Sequence, residues 1–255
     1  MALSIARLPE GWTPQPDTLA NRVVLVTGAY GGLGSAVARA AAHAGATVVI
    51  TGKRKRQLEK LYDAMRAEGL SEPIIHPLDM EVATPRDYTA LADGLQRDFG
   101  RLDGIVHAAV SFSGLTPISM YKPDHWLRAM HVNVSAPFAL TQACLPLLTR
   151  ASDSSVVFVL DDPELLQRAH WGAYGASKAA LERFASILHE ENDEGPLRVH
   201  ALLPAPMRTA LRKLAYFGED IMQRALPDSA AAAAIYLLSE QALAARGAVL
   251  DLRTA

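Results

Sequence analysis

Short apolar runs rich in β-branched residues alternate along this chain with longer stretches whose apolar positions recur every three or four residues. Residues 23–27, 46–51, 74–77, 104–108, 156–160, 198–203 and 248–252 read as strands. Most are continuously apolar, the pattern expected when both faces of a parallel sheet are covered. Helical periodicity occupies 33–44, 55–68, 85–98, 123–149, 172–192 and 228–242. The alternation predicts an α/β fold, with about seven strands in one doubly wound parallel sheet and helices on both faces. Right-handed crossovers then leave a ligand crevice at the C-terminal ends of the strands. Residues 1–20, with Pro9, Pro14 and Pro16, read as an extended arm, and 21–255 as a single domain. The stretch 204–226 follows a strand end, has mixed character and reads as a mobile lid.

Half of the 255 residues are hydrophobic, enough for a substantial single core. With 25 Lys and Arg against 27 Asp and Glu, the net charge is −2, which argues against a nucleic-acid surface or a polybasic membrane patch. No apolar run reaches the ~18 residues of a membrane span, so a cytoplasmic protein is expected. The single cysteine, Cys144, lies in an apolar helical run and reads as a core thiol. No metal-binding pattern is present.

Two motifs carry chemistry. Gly28, Gly32 and Gly34, with Tyr30 and Leu33 between them, leave a strand and open a helix. Glycine there lets the backbone approach a pyrophosphate lying at the helix N-terminus. The second strand ends in Lys53-Arg54-Lys55-Arg56, with no acid for a ribose 2′-hydroxyl. Those cations suit the 2′-phosphate of NADP(H), or else form a solvated helix start. Asp79, after the third strand, reads as an adenine-amino acceptor or as a plain loop carboxylate. Downstream, Tyr174 and Lys178 stand at i and i+4 on one helix face. A nearby ammonium lowers a tyrosine pKa from ~10 and makes the phenol an acid or base near neutrality.

Together these residues resemble the short-chain dehydrogenase/reductase family over about 17–252, which implies a Rossmann-like fold. In that resemblance Asn133 matches the residue that holds a catalytic water, Tyr174 the proton donor, and Lys178 its partner on the nicotinamide ribose. Ala108 falls at the end of the fourth strand beside the cofactor, and Pro204 and Thr209 in the segment flanking nicotinamide. The stretches 12–17, 101–104 and 171–174 are similar to bacterial YciK-type oxidoreductases. The resemblance implies NADP(H), a small carbonyl or alcohol substrate, and a homodimer or homotetramer built on the helices near 123–149 and 172–192.

The departures fall at several places, among them Glu164 and Pro204-Ala205, where the family has glycine and Pro-Gly. The family's catalytic serine falls at Asp161, and its Asn-Ala-Gly at Ala108-Ala109-Val110. An ionised carboxylate accepts hydrogen bonds and cannot donate one. It would repel a developing oxyanion and raise the pKa of Tyr174. Three resolutions stay open: a protonated Asp161 that donates, an Asp161 that accepts from an alcohol or amine, or a loop that turns it outward. His170 and Trp171 flank the site. Met207, Leu211, Leu214 and Phe217 read as an apolar substrate wall or an ordinary amphipathic helix. The leading reading is an NADP(H)-dependent oxidoreductase. The alternatives are a related nucleotide- or partner-binding protein with little turnover, and a structural subunit.

Overall fold

Eight parallel strands form one sheet in this computed structural model, which describes residues 3–253. In chain order they are β1 (Ser4–Ala6), β2 (Val23–Thr27), β3 (Thr47–Gly52), β4 (Ile74–Pro77), β5 (Gly104–His107), β6 (Ser154–Val159), β7 (Leu197–Leu203) and β8 (Ala248–Asp251). Across the sheet they run β1-β8-β7-β6-β5-β2-β3-β4. Seven lie on the predicted apolar runs. The eighth, β1, corrects the expected count of about seven. Its three residues pair with β8 in the register Ser4↔Ala248, Ile5↔Val249 and Ala6↔Leu250. So short a segment shows no periodicity, and its partner lies at the far end of the chain.

Burial explains the continuous apolar runs. Every residue of β2, β5, β6 and β7 is buried, whereas the edge strands β1 and β4 contain none that is. Alternate residues of β2 serve opposite cores. Val24 and Val26 pack under α1 (Gly32–His43), α2 (Lys55–Ala67) and α9 (Asp228–Leu238). Val23 and Leu25 pack under α3 (Pro85–Phe99), α5 (Ala136–Leu148) and α7 (Gly172–Glu190). Asp103 accepts from the backbone N–H of Val23 at 2.7 Å and pairs with Arg101, tying the starts of β2 and β5 together.

The chain leaves β2 toward β3 and β4, then returns to β5 on the other side of β2. That reversal opens the crevice at the strands' C-terminal ends. One predicted helix is also broken. The segment 123–149 comprises α4 (Pro123–Met130), a π-helical turn at His131–Ser135, and α5. Such turns cluster at functional sites, and Asn133 lies inside this one. Among the described residues, no helix is long and apolar enough to cross a membrane.

Candidate active site

A cavity of about 560 Å³ occupies the crevice and joins both sequence motifs. At one end lie Tyr30, Gly32, Leu33, Gly34, Lys53 and Arg54; Ala108 is in the middle; at the other end are Asp161, Tyr174 and Lys178. Pro204, Met207, Thr209, Leu211 and Leu214 line it, so the part 204–216 of the stretch 204–226 borders the site. Phe217 is 95% exposed and stands outside that wall.

The first end is defined by atoms that are missing. Gly28 has φ +61°, and a Cβ there would lie 2.7 Å from the Cα of Ala109. A Cβ on Gly34 would lie 2.3 Å from the Gly28 carbonyl oxygen. The hydroxyl of Thr27 accepts from the N–H groups of Ala108 at 3.1 Å and Ala109 at 3.0 Å, fixing that close approach. Helix α1 then begins with no side-chain cap and no acid in its first turn. Its positive end faces the cavity, which is the requirement of an anion cradle. Tyr30 packs over Gly52, where a Cβ would come 2.6 Å from the ring. Lys53 pairs with Glu81, while Arg54 has no carboxylate partner among the described residues. Asp79 stands outside the cavity lining and accepts from the N–H of Glu81 at 3.0 Å. Free backbone room, an uncapped helix start and an unpaired guanidinium fit a phosphorylated dinucleotide.

The second end is defined by side chains already committed to one another. Tyr174 donates its hydroxyl to Asp161 Oδ2 at 2.8 Å, and the N–H of Asp162 donates to Asp161 Oδ1 at 2.8 Å. Asp161 therefore faces the tyrosine and is not turned outward. The loop is held from below: Asp162 caps the short helix α6 (Pro163–Leu166) and takes Arg253 Nη1 at 2.6 Å, while Arg253 also grips Asp251. Burial lifts the pKa of Tyr174 well above its ordinary value, and the charge and hydrogen bond of Asp161 add to the shift. Burial lowers Lys178 to about 8, with Asp161 acting the other way. The ammonium donates to the Val159 carbonyl at 2.7 Å and sits 5.7 Å from the Tyr174 ring centroid. The lysine thus does not deliver the lowered tyrosine pKa that the i, i+4 spacing suggested.

Asn133 is buried and does not line the cavity. It donates to the Ser111 carbonyl at 3.0 Å and to Ser177 Oγ at 2.9 Å, and accepts from the Ser111 N–H at 2.7 Å. It knits the chain after β5 to the helix turn before Lys178. Among the lining residues that no motif marked are Phe112, Tyr216 and Arg253. Phe112 comes from an aperiodic segment, Tyr216 from the end of the helical turn at Ala210–Ala215, off the apolar spacing of Leu211 and Leu214, and Arg253 from near the end of the described residues. Phe112 lies 5.6 Å from Trp171 and 5.0 Å from Tyr174 between ring centroids, and Tyr216 lies 6.1 Å from Trp171. Arg212 stacks on Tyr216 at 4.4 Å and is itself bound to Glu219. His170 is exposed and, at φ 79°, turns the chain into Trp171. Among the described residues, no group of three or more His, Cys, Asp or Glu side chains is placed to hold a metal.

A doubly wound parallel sheet with a glycine-lined cavity and a Tyr-x-x-x-Lys pair defines a dinucleotide-dependent class of fold. Residues 22–217 match the short chain dehydrogenase family, and the chain belongs to it. It is 34% identical over 240 residues to the uncharacterized oxidoreductase YciK of Escherichia coli K12, covering 94% of this chain and 95% of that one. A solved chain from Pseudomonas syringae, described as a short chain dehydrogenase, matches at TM-score 0.91 and 35% identity, covering 96% of this chain and 99% of that one. Another, from Shigella flexneri 2a and complexed with NADP, matches at TM-score 0.89 and 34% identity, covering 93% and 99%.

Proposed function

We propose that this protein is an NADP(H)-dependent oxidoreductase acting on a small, largely apolar substrate. The observation that carries the proposal is the single cavity joining the glycine cradle and Arg54 to Asp161, Tyr174 and Lys178. The NADP complex of the Shigella relative supports the choice of cofactor. When bound, the dinucleotide supplies or accepts a hydride. The backbone around Gly28, Tyr30, Gly32, Leu33 and Gly34 holds its diphosphate, and Lys53 and Arg54 hold the 2′-phosphate. Asp79, whose Oδ1 accepts from the Glu81 N–H, keeps Oδ2 to accept from the adenine amino group. Ala108, Pro204 and Thr209 flank the nicotinamide, and Lys178 reaches its ribose.

The chain's own groups then set the reaction. Phe112, Trp171 and Leu211 exclude water from the substrate side. Tyr174 and Asp161 face the reacting bond as one hydrogen-bonded unit. Asn133 positions Ser111 and α7 through its three bonds. The family resemblance extends the proposal to a cytoplasmic homodimer or homotetramer formed through α5 and α7. Phe138 and Ile187, apolar and about half exposed on those helices, support that surface.

The test is direct titration with NADPH and NADH, followed by nicotinamide fluorescence. NADPH is expected to bind more tightly. Arg54→Ala is expected to weaken NADPH by about tenfold or more, the scale of one charge-assisted phosphate contact, and to leave NADH unchanged. A folded protein that binds neither nucleotide refutes the assignment.

A further inference from the structure

Reduction of a carbonyl gathers negative charge on oxygen, and hydrogen-bond donors aimed at that oxygen lower the barrier. The catalytic end of this cavity is arranged the other way. The Tyr174 proton is directed at Asp161 Oδ2, and Asp161 Oδ1 accepts from the Asp162 N–H. In this arrangement Asp161 accepts at both oxygens and offers no donor toward the cavity. The lone pairs left on Asp161 and on the Tyr174 oxygen are acceptors too. A carbonyl oxygen placed here meets lone pairs and a negative charge. A polarised N–H meets partners.

The charges around Asp161 point the same way. No Lys, Arg or His lies within ion-pair distance of it among the described residues. The nearby cations are all engaged elsewhere: Arg253 with Asp162 and Asp251, Arg212 with Glu219, and Lys178 with the Val159 carbonyl. Beside this carboxylate stand the rings of Phe112, Trp171 and Tyr174, within 5.0–5.8 Å of one another. Aromatic faces attract cations, most strongly where water is excluded. An unpaired carboxylate beside an aromatic cluster in a half-closed cavity is a receptor for an organic cation.

We propose that the bond reduced at this site is a protonated carbon–nitrogen double bond, an iminium, held through its N–H by Asp161 against the Phe112–Trp171–Tyr174 wall. The inference rests on the NADP(H) reading above and names its substrate class. The iminium carbon accepts a hydride from the reduced nicotinamide dinucleotide, forming the new C–H bond and leaving the dinucleotide oxidised. The π pair moves onto nitrogen and cancels its positive charge. The nitrogen keeps the proton it arrived with, and the product is a secondary or primary amine. No proton leaves Tyr174 in this step, so neither the missing serine nor the tyrosine's bond to Asp161 impedes it. Asp161 is a catalytic residue in this scheme, because it touches the reacting nitrogen.

Two ring systems of equal shape test the proposal without turnover. Tetrahydroisoquinoline is a cation at neutral pH, and isochroman is its uncharged oxygen counterpart. Calorimetric titration into wild-type protein saturated with NADPH, which can pass a hydride to neither ring, is expected to show the cation binding at least ~tenfold more tightly. In Asp161→Asn that preference should vanish, with NADPH affinity unchanged. In turnover, 3,4-dihydroisoquinoline should be reduced by NADPH much faster than cyclohexanone, and Asp161→Ser should reverse the order. Equal binding of the two rings by wild-type protein that binds NADPH overturns the iminium assignment and leaves the oxidoreductase reading standing. A cation preference that survives in Asp161→Asn overturns it as well. Failure of the folded protein to bind NADPH removes both, and the nucleotide titration alone identifies that case.

Discussion

The two ends of the cavity are built on opposite principles. At the dinucleotide end, recognition depends on side chains that are absent: Gly28 and Gly34 leave room that a single methyl group would fill. At the catalytic end it depends on side chains that hold each other, with Asp161, Tyr174 and Asp162 in one chain of bonds fastened by Arg253. A site made from backbone tolerates no added atom, and it accepts one kind of ligand. A site made from side chains is re-specified by one residue. The contrast teaches that what binds is written in the turn geometry, whereas what reacts is written in the charge at position 161.

The sharpest break of this contrast is at Gly34. Gly34→Val forces a side chain into the Gly28 carbonyl, 2.3 Å from the ideal Cβ position. It should abolish measurable NADPH binding, and circular dichroism separates a lost site from a lost fold. Next is Tyr174→Phe. Carbonyl reduction should fall by about 10²–10⁴, the usual contribution of a proton donor. Iminium reduction, which takes no proton from Tyr174, should fall by less than about tenfold on the same scale. Steady-state rates on both substrate types decide it, and equal losses would join the two chemistries again.

Lys178 sharpens the contrast by setting stability against function. Its folded pKa of about 8 lies below the ordinary 10.5, so the folded state disfavours the ammonium. Below pH 8 that cost is present in full, and it is relieved as pH rises from 8 toward 10.5. Lys178→Met should therefore lose turnover yet resist urea better than wild type at pH 7.5, with the gap narrowing at pH 9.5. Acid sensitivity belongs instead to the scaffold between the ends. Burial lowers His107 and His200 to about 3, from an ordinary 6.5. The unfolded chain takes up those protons first, so stability falls as pH drops from 6.5 toward 3, by up to ~1.4 kcal/mol per pH unit per histidine. His200 Nε2 accepts from Arg198 Nη1 at 3.2 Å and cannot be protonated there without breaking that bond. His107→Asn should flatten the decline in urea midpoint between pH 7 and 5. The smallest effect is expected at Arg253. Arg253→Ala loosens the Asp161–Asp162 loop and should lower kcat by about threefold, in the range of a partly exposed ion pair, without moving NADPH affinity.

How much of this was legible in the sequence follows from the same division. Six strands announce themselves because burial requires continuous apolar residues, and β4, with no residue buried, shows itself through the β-branched pair Ile74-Ile75. The glycine turn announces itself because only glycine meets its geometry. β1 is silent, since three residues show no period and pairing with β8 supplies their order. The π-turn at Asn133 is silent, because its residues look helical and the extra residue shows only in the hydrogen bonding. Asp161 was visible as a departure, but its direction was not. Only the fold brings Oδ2 within 2.8 Å of the Tyr174 hydroxyl, against the expectation that Lys178 would govern that phenol. Phe112 reaches the cavity from a segment without periodicity, and Tyr216 lies off the apolar spacing of Leu211 and Leu214, so no local pattern marked either.

Ser4 lies opposite Ala248 in the sheet. The first and last strands of the sequence are thus neighbours, and β1 owes its order to a partner more than 240 positions away. β8 is covered on that side only when residues from the other end of the chain dock on it. Removing residues 4–6 would therefore bare the β8 edge to pairing with another strand.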